Sequence, residues 1–191
     1  MNNRYVPPGG KDQTESTATT ELSTPYGAVR LLWYHQDLVK VELGGYDPAE
    51  RRVSIRHFLP SHKEGQELIA QMTAYFKGEK VEFDVPLPTR AGSEAQRGVW
   101  TGLKGIPYGQ VETYEAMTKR LGLPQRGARV LGSVCGQNPL PVLYPSHRLL
   151  PENGGLVGFV GGIKWRRALL ELEGILVDYD RVKLPTAPQQ D

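Results

Sequence analysis

The segment Asn138-Pro139-Leu140-Pro141-Val142-Leu143-Tyr144-Pro145-Ser146-His147-Arg148 constrains this chain more than any other. It opens on an Asn-Pro turn, runs through apolar residues and closes on Pro-Ser-His-Arg. An Asn-Pro turn needs side-chain bonding to hold its backbone, so Asn138 is expected to be structural within whatever site the segment builds. Ser146 and His147, with Glu173 farther on, offer the residue types of a serine hydrolase. That reading is set aside. Ser146 and His147 are neighbours in sequence, and serine enzymes act on acyl carbons whose tetrahedral oxyanion is stabilised.

Cysteine count narrows the chemistry further. The 191 residues include one cysteine, Cys135, so an intrachain disulfide and a Cys-based zinc site are both excluded. His35, His57, His62 and His147 show no metal-ligand spacing, and neither a metal nor a cofactor is expected. The formal net charge of +2 argues against a polybasic protein, yet leaves room for a local basic face toward a phosphate backbone. No apolar stretch of signal-peptide length opens the chain. No run approaches the roughly 18–20 apolar residues of a membrane span. The expectation is a cytoplasmic monomer without a membrane partner, nucleoid-associated if the source is bacterial or archaeal.

Patterning predicts an α+β fold in two parts. Residues 1–23 are polar and are expected to be a flexible tail, as are residues 183–191. Residues 24–88 read as a small sheet-plus-helix scaffold domain. Val29, Leu31 and Trp33 alternate, and Leu38 to Leu43 follows a polar turn, which predicts a hairpin. Val53, Ile55 and His57-Phe58 predict a third strand, Glu67 to Phe76 a helix, and Val81, Phe83 and Val85 another strand. Nothing in this part carries identifiable chemistry.

Residues 89–182 predict a mostly helical domain. A helix over Glu94–Leu103 places Val99, Trp100 and Leu103 on one face. Pro107-Tyr108-Gly109 is a turn. Thr113 caps a helix reaching Leu121, Gly122-Leu123-Pro124 turns the chain, and a second helix spans about 126 to 136. Two short helices joined by a glycine turn predict a helix-turn-helix. Ile163 to Glu173 is the last helix, stopped by Gly174.

Five pieces in order carry a resemblance. They are Ile106 to Tyr114, Ala128-Arg129-Val130-Leu131-Gly132, Asn138 to Arg148, Gly158 to Lys164, and Leu169 to Gly174. Together they resemble the O6-alkylguanine-DNA alkyltransferases, a family of DNA repair proteins. The family pattern has cysteine where this chain has Ser146.

The resemblance implies binding of double-stranded DNA containing alkylated guanine. The helix-turn-helix would enter the minor groove, and the lesion would be flipped out of the stack, because the alkyl group lies inside it. Arg129 matches the arginine that fills the space of the flipped base. Tyr114 matches the tyrosine that crowds the target phosphate and faces guanine as leaving group. Ala128, Gly132 and Ser133 are small enough for close approach to the groove, although close helix packing explains small residues equally well. Asn138, His147 and Glu173 match the residues that hold and activate the cysteine. Cys135, Pro141, Leu149, Gly158, Phe159 and Val160 match the base pocket and its closing loop. Phe159 departs from the usual Tyr, and Leu149-Leu150 from the usual Val or Ile.

Serine changes what such a site does. Alkyl transfer is displacement at a saturated carbon and needs a soft, ionisable sulfur. A hydroxyl ionises little near neutral pH. Cys135 reads by default as a small core residue. The remaining reading resembles the alkyltransferase-like proteins, which bind alkylated DNA, do not accept the alkyl group and flag lesions for nucleotide excision repair proteins. Many of those have only the second domain. An alkyltransferase inactivated by a Cys-to-Ser change would read the same way, and a sequence-specific helix-turn-helix regulator is a third class.

Overall fold

The computed structural model describes residues 17–44, 54–57, 60–124 and 127–184. Strands β1 (Thr17–Thr24), β2 (Gly27–Tyr34), β3 (Asp37–Leu43) and β4 (Ser54–His57) form one antiparallel sheet. Its order is β3-β2-β1-β4. The alternation expected from the sequence is real: Val29, Leu31 and Trp33 are buried while Arg30 faces solvent. Leu22 lies opposite Val29, and Leu31 opposite Val41, so the core-facing positions are in register.

β1 corrects the expected tail. It begins at Thr17, inside residues 1–23, and lies between two strands rather than outside the fold. Its polar composition hid it. Thr20, Ser23 and Thr24 are buried, and specific bonds satisfy the hydroxyls of Thr20 and Thr24. Trp33 Nε1–H donates to Thr20 Oγ1 at 3.0 Å, and Thr24 Oγ1–H to the Gly27 carbonyl at 2.7 Å. Residues 1–16, Val53, Phe58, Arg126 and 185–191 lie outside the described residues.

Helix α1 (Lys63–Phe76) starts four residues before the expected Glu67 and buries Leu68, Ile69, Met72, Tyr75 and Phe76. The strand expected over Val81, Phe83 and Val85 is absent. Those three side chains still pack against the core while Glu82 and Asp84 face outward, but among the described residues no strand pairs with the segment. Alternation marked a one-sided surface there, not a ladder.

The second half follows its predicted order. Helix α2 (Glu94–Leu103) opens on a capping box between Ser93 and Gln96. Thr113 Oγ1 accepts from the Ala116 N–H at 3.1 Å and caps α3 (Tyr114–Arg120). Helix α4 (Gly127–Gly136) packs against α3 as the second helix of the pair. Helix α5 (Gly162–Leu172) ends at Glu173, and Gly174 takes a left-handed φ of +81°. Between the helices Glu112–Thr113 (β5) runs parallel to Leu149–Leu150 (β6), and after α5 Val177–Asp178 (β7) pairs with Arg181–Val182 (β8).

One hydrophobic cluster runs from Leu22 through Met72 and Trp100 to Leu169. The boundary expected near residue 88 therefore does not separate two cores. Trp165 Nε1–H donates to the Gly44 carbonyl at 2.6 Å, and the Val41 N–H donates to the Pro139 carbonyl at 2.8 Å. Variants keeping only Trp33 or only Trp100 should therefore show coincident denaturant midpoints by fluorescence. Two separated midpoints would contradict a shared core.

Candidate functional site

Asn138 follows α4 and is buried. Its Oδ1 accepts from the Leu140 N–H at 3.0 Å, and its Nδ2 donates to the Tyr144 carbonyl at 2.7 Å. The same Nδ2 reaches Ser146 Oγ at 3.3 Å. One amide thus clamps both ends of the loop that delivers Ser146, as the Asn-Pro turn led us to expect. Inside the loop Val142 has φ +76°. A β-branched residue pays about 1–3 kcal/mol for such a conformation, so the clamp holds a strained backbone. Pro141 is buried in the same loop.

Ser146, His147 and Arg148 make a single buried 3-10 turn. The His147 and Arg148 side chains converge on Glu173. His147 Nε2 lies 2.8 Å from Glu173 Oε1. Arg148 donates from Nε to Oε2 at 2.8 Å and from Nη2 to Oε1 at 2.9 Å, a two-pronged grip. Its Nη1 donates to the Ile106 carbonyl at 2.7 Å. Tyr75 O–H donates to Oε1 at 2.6 Å, and the Gly109 N–H to Oε2 at 3.3 Å. Gly109 has φ +76°, and a Cβ there would stand 3.2 Å from the Glu173 carbonyl oxygen, so glycine is needed at that approach.

The electrostatics follow from burial and these partners. Burial alone would raise the Glu173 carboxyl, but His147 and Arg148 outweigh it and hold it well below the usual carboxylate range. Burial pushes His147 below its ordinary value, against the pull of Glu173 and with help from Arg148 and Arg166. His147 is therefore neutral beside an ionised carboxylate. Nε2 carries the proton, and Nδ1 is an acceptor, buried and without a hydrogen-bond partner among the described residues.

Arg166 is a second pin. Its Nη2 donates to the Ser146 carbonyl at 3.1 Å and the Leu149 carbonyl at 2.6 Å, and its Nη1 donates to the Val157 carbonyl. It fastens the Ser146 turn to the loop that precedes α5. Phe159 in that loop stands edge-on to His147 at 6.3 Å and lies under the Arg166 guanidinium at 5.6 Å. Burial lowers the Arg166 pKa, and the Tyr114 hydroxyl beside it opposes that. Gly158 has φ +54°, and Val160 is exposed on the same loop. Burial pushes the Cys135 thiol up to about 12, against nearby Arg166, which leaves it unreactive at neutral pH. Among the described residues no group of three His, Cys, Asp or Glu could hold a metal ion, and no helix is long and apolar enough to cross a membrane.

The exposed side of α4 carries Arg129, Val130 and Ser133. Gly127 is buried, and a Cβ there would meet Thr118 Cγ2 at 3.2 Å, so its size serves packing against α3. Gly132 is different. A Cβ there would meet Tyr114 Cε1 at 4.0 Å and nothing nearer, and one at Gly136 would meet nothing within 4 Å. Internal packing does not require glycine at either position. Ala128 lines a groove with Tyr114, Thr118 and Pro151 at the mouth of the helix pair.

The structure thus brings Asn138, Ser146, His147 and Glu173 into one buried unit, with Cys135, Leu149, Phe159 and Tyr114 around Arg166. Arg129, Gly132 and Ser133 lie on a separate open helix face. Sequence reasoning missed Tyr75 and Arg166. Tyr75 sat on the apolar stripe of α1 and read as core. Arg166 sat within the last predicted helix, in a Lys-Trp-Arg-Arg run to which no role was assigned.

Residues 94–175 match the family model described as 6-O-methylguanine DNA methyltransferase, DNA binding domain. The methylated-DNA–protein-cysteine methyltransferase of Mycobacterium bovis is 35% identical over 154 residues, which cover 80% of this chain and 89% of that protein. The protein of the same name from Methanosarcina acetivorans is 40% identical over 109 residues, 57% of this chain and 69% of its own length. The crystal structure of Mycobacterium tuberculosis O6-methylguanine methyltransferase superposes with a TM-score of 0.65 at 32% identity, covering 82% of this chain and 92% of that one. A structure of the M. tuberculosis protein in complex with DNA gives the same TM-score of 0.65 and identity of 32%, over 81% and 91% of the two chains.

Glu173→Gln should cost about 3–5 kcal/mol in denaturant unfolding, because it leaves the buried Arg148 cation without its counter-charge. Both depressed groups bind protons more readily in the unfolded chain. Stability should therefore fall as pH drops below the ordinary His value of 6.5, and further below the ordinary Glu value of 4.5. His147→Gln should remove the upper part of that dependence. Stability that is flat from neutral pH to pH 4.5 would contradict the assignment.

Proposed function

The chain belongs to the methylated-DNA–protein-cysteine methyltransferase family, and on that premise we propose that it recognises O6-alkylguanine in duplex DNA without accepting the alkyl group. Membership places it among DNA repair alkyltransferases that bind DNA. The finer reading is carried by one observation: Ser146 Oγ is held by Asn138 Nδ2 at 3.3 Å, next in the chain to the intact His147–Glu173 pair. Alkyl transfer breaks a carbon–oxygen bond at a saturated carbon while the protein nucleophile forms the new one. The Ser146 hydroxyl would have to act as an alkoxide, and a neutral imidazole is too weak a base to generate one. No second nucleophile substitutes, since the Cys135 thiol is buried and held protonated.

Recognition uses the parts that remain. The helix pair presents Arg129 and Ser133 on an open face where Gly132 and Gly136 leave space that packing does not use. That space suits close approach of a minor-groove backbone. Arg129 fills the gap of the flipped nucleotide, and Tyr114 attends its phosphate. Ala128 borders the same face. Ser146, Pro141, Leu149, Gly158, Phe159 and Val160 shape the pocket that receives the base. The bound lesion would then stay intact as a flag for nucleotide excision repair proteins. A Cys-to-Ser form of an active methyltransferase has the same site and differs only in history.

Equilibrium binding to two matched duplexes, one with O6-methylguanine and one with guanine, tests the reading at near-physiological salt. A preference of about tenfold, roughly 1.4 kcal/mol, is expected. It should weaken as salt rises. Arg129→Ala should lose most of the preference while leaving thermal stability unchanged. After incubation with the lesion duplex the intact protein mass should be unchanged. Equal affinity for both duplexes would favour a sequence-specific regulator, and a gain of one alkyl group would show a transferase.

A further inference from the structure

The first half of the chain has no part in the reading above, yet it reaches the site. We propose that Tyr75 is a positioning residue: its hydroxyl pins Glu173 so that His147 stays neutral and Nε2-protonated, with Nδ1 left as the acceptor.

Tyr75 lies on α1, 98 residues from Glu173 in sequence, and is fully buried. Its O–H donates to Oε1 at 2.6 Å, the same oxygen that His147 Nε2 meets at 2.8 Å. The ring cannot swing away. It is held edge-on by Phe76 at 5.2 Å, Phe83 at 5.6 Å and Tyr108 at 6.1 Å. Burial and the carboxylate both keep the phenol protonated, so it acts only as a donor there.

The effect on His147 follows from charge. The positive end of the O–H dipole sits on the oxygen that faces the imidazole. It draws down the negative potential that would otherwise attract a second proton to the ring. The other groups facing His147 are Glu173, Arg148, Arg166 and the Phe159 ring. The two arginines oppose protonation and Glu173 favours it. Those facing Tyr75 are Glu173, Arg148 and Tyr108. Without the hydroxyl, Glu173 pulls harder on the imidazole. The unpartnered Nδ1 would then become a donor, and the acceptor in the pocket would be lost. The contacts from Tyr75 through Glu173 to His147 are internal to the protein, whichever DNA it selects.

Imidazole 15N and 1H resonances of the full chain, assigned against His147→Gln, provide the test. In the native protein His147 should show the Nε2-protonated neutral pattern at neutral pH, with a protonation midpoint below the ordinary value of 6.5. In Tyr75→Phe its protonation midpoint should rise by about one pH unit, the tenfold change expected when a charge-assisted hydrogen bond to its partner is lost. Phe83→Leu loosens the packing around Tyr75 but keeps the hydroxyl, and should leave the midpoint in place. Equal midpoints in native and Tyr75→Phe proteins would overturn the proposal. So would an Nδ1-protonated native ring, or a shift in Phe83→Leu as large as that in Tyr75→Phe.

Discussion

A buried carboxylate is among the costliest groups a fold can hold, and Glu173 is tolerable only because each oxygen is met by donors. Those donors come from three places: α1 through Tyr75, the 107–109 turn through Gly109, and the Ser146 turn through His147 and Arg148, while the end of α5 supplies the acid itself. Moving any of these elements leaves a buried charge or donor unpaired. The carboxylate therefore fixes the relation of the sheet-bearing half to the helical half, as the shared core does less specifically. It also fixes the ring of His147 and, with Arg166 and Asn138, the position of Ser146.

Around that hub the loop and turn that deliver Ser146 are pinned from several sides. The loop before Ser146 stores backbone strain at Val142, and the Asn138 amide spans the loop to contain it. Arg166 ties the turn to the loop bearing Phe159. Such preorganisation serves binding as well as it serves catalysis, since a pocket that is already ordered loses little entropy when it takes up a base. Replacing sulfur by oxygen removes nucleophilicity but leaves size and hydrogen-bonding direction almost intact. That order supports the proposed reading of lesions.

The sequence disclosed much of this, and its failures have physical causes. Helix α2 was legible from Val99, Trp100 and Leu103 on one face, and α3 and α5 from their cap and stops, Thr113, Gly122 and Gly174. The site motif was legible because its members are local, apart from Glu173. β1 was hidden because its buried positions are Thr and Ser, whose hydroxyls are satisfied only by tertiary partners such as Trp33. The strand expected over residues 81–85 failed because alternation reports which side is buried, not whether a neighbour strand exists. Tyr75 was invisible as a site residue. A tyrosine on an apolar stripe reads as core, and only the fold reveals that its hydroxyl ends on a carboxylate. Gly127 and Gly132 looked alike in sequence, and only their surroundings separate a packing glycine from one facing open space.

The central claim is that everything needed to use a thiol at position 146 is present except the thiol. Intact-protein mass of Ser146→Cys after incubation with an O6-methylguanine duplex measures this most directly. The account predicts a gain of one methyl group by the variant, and none when His147 is also changed to Gln. A variant that folds and binds the duplex yet gains no mass would show that the site has lost more than its sulfur.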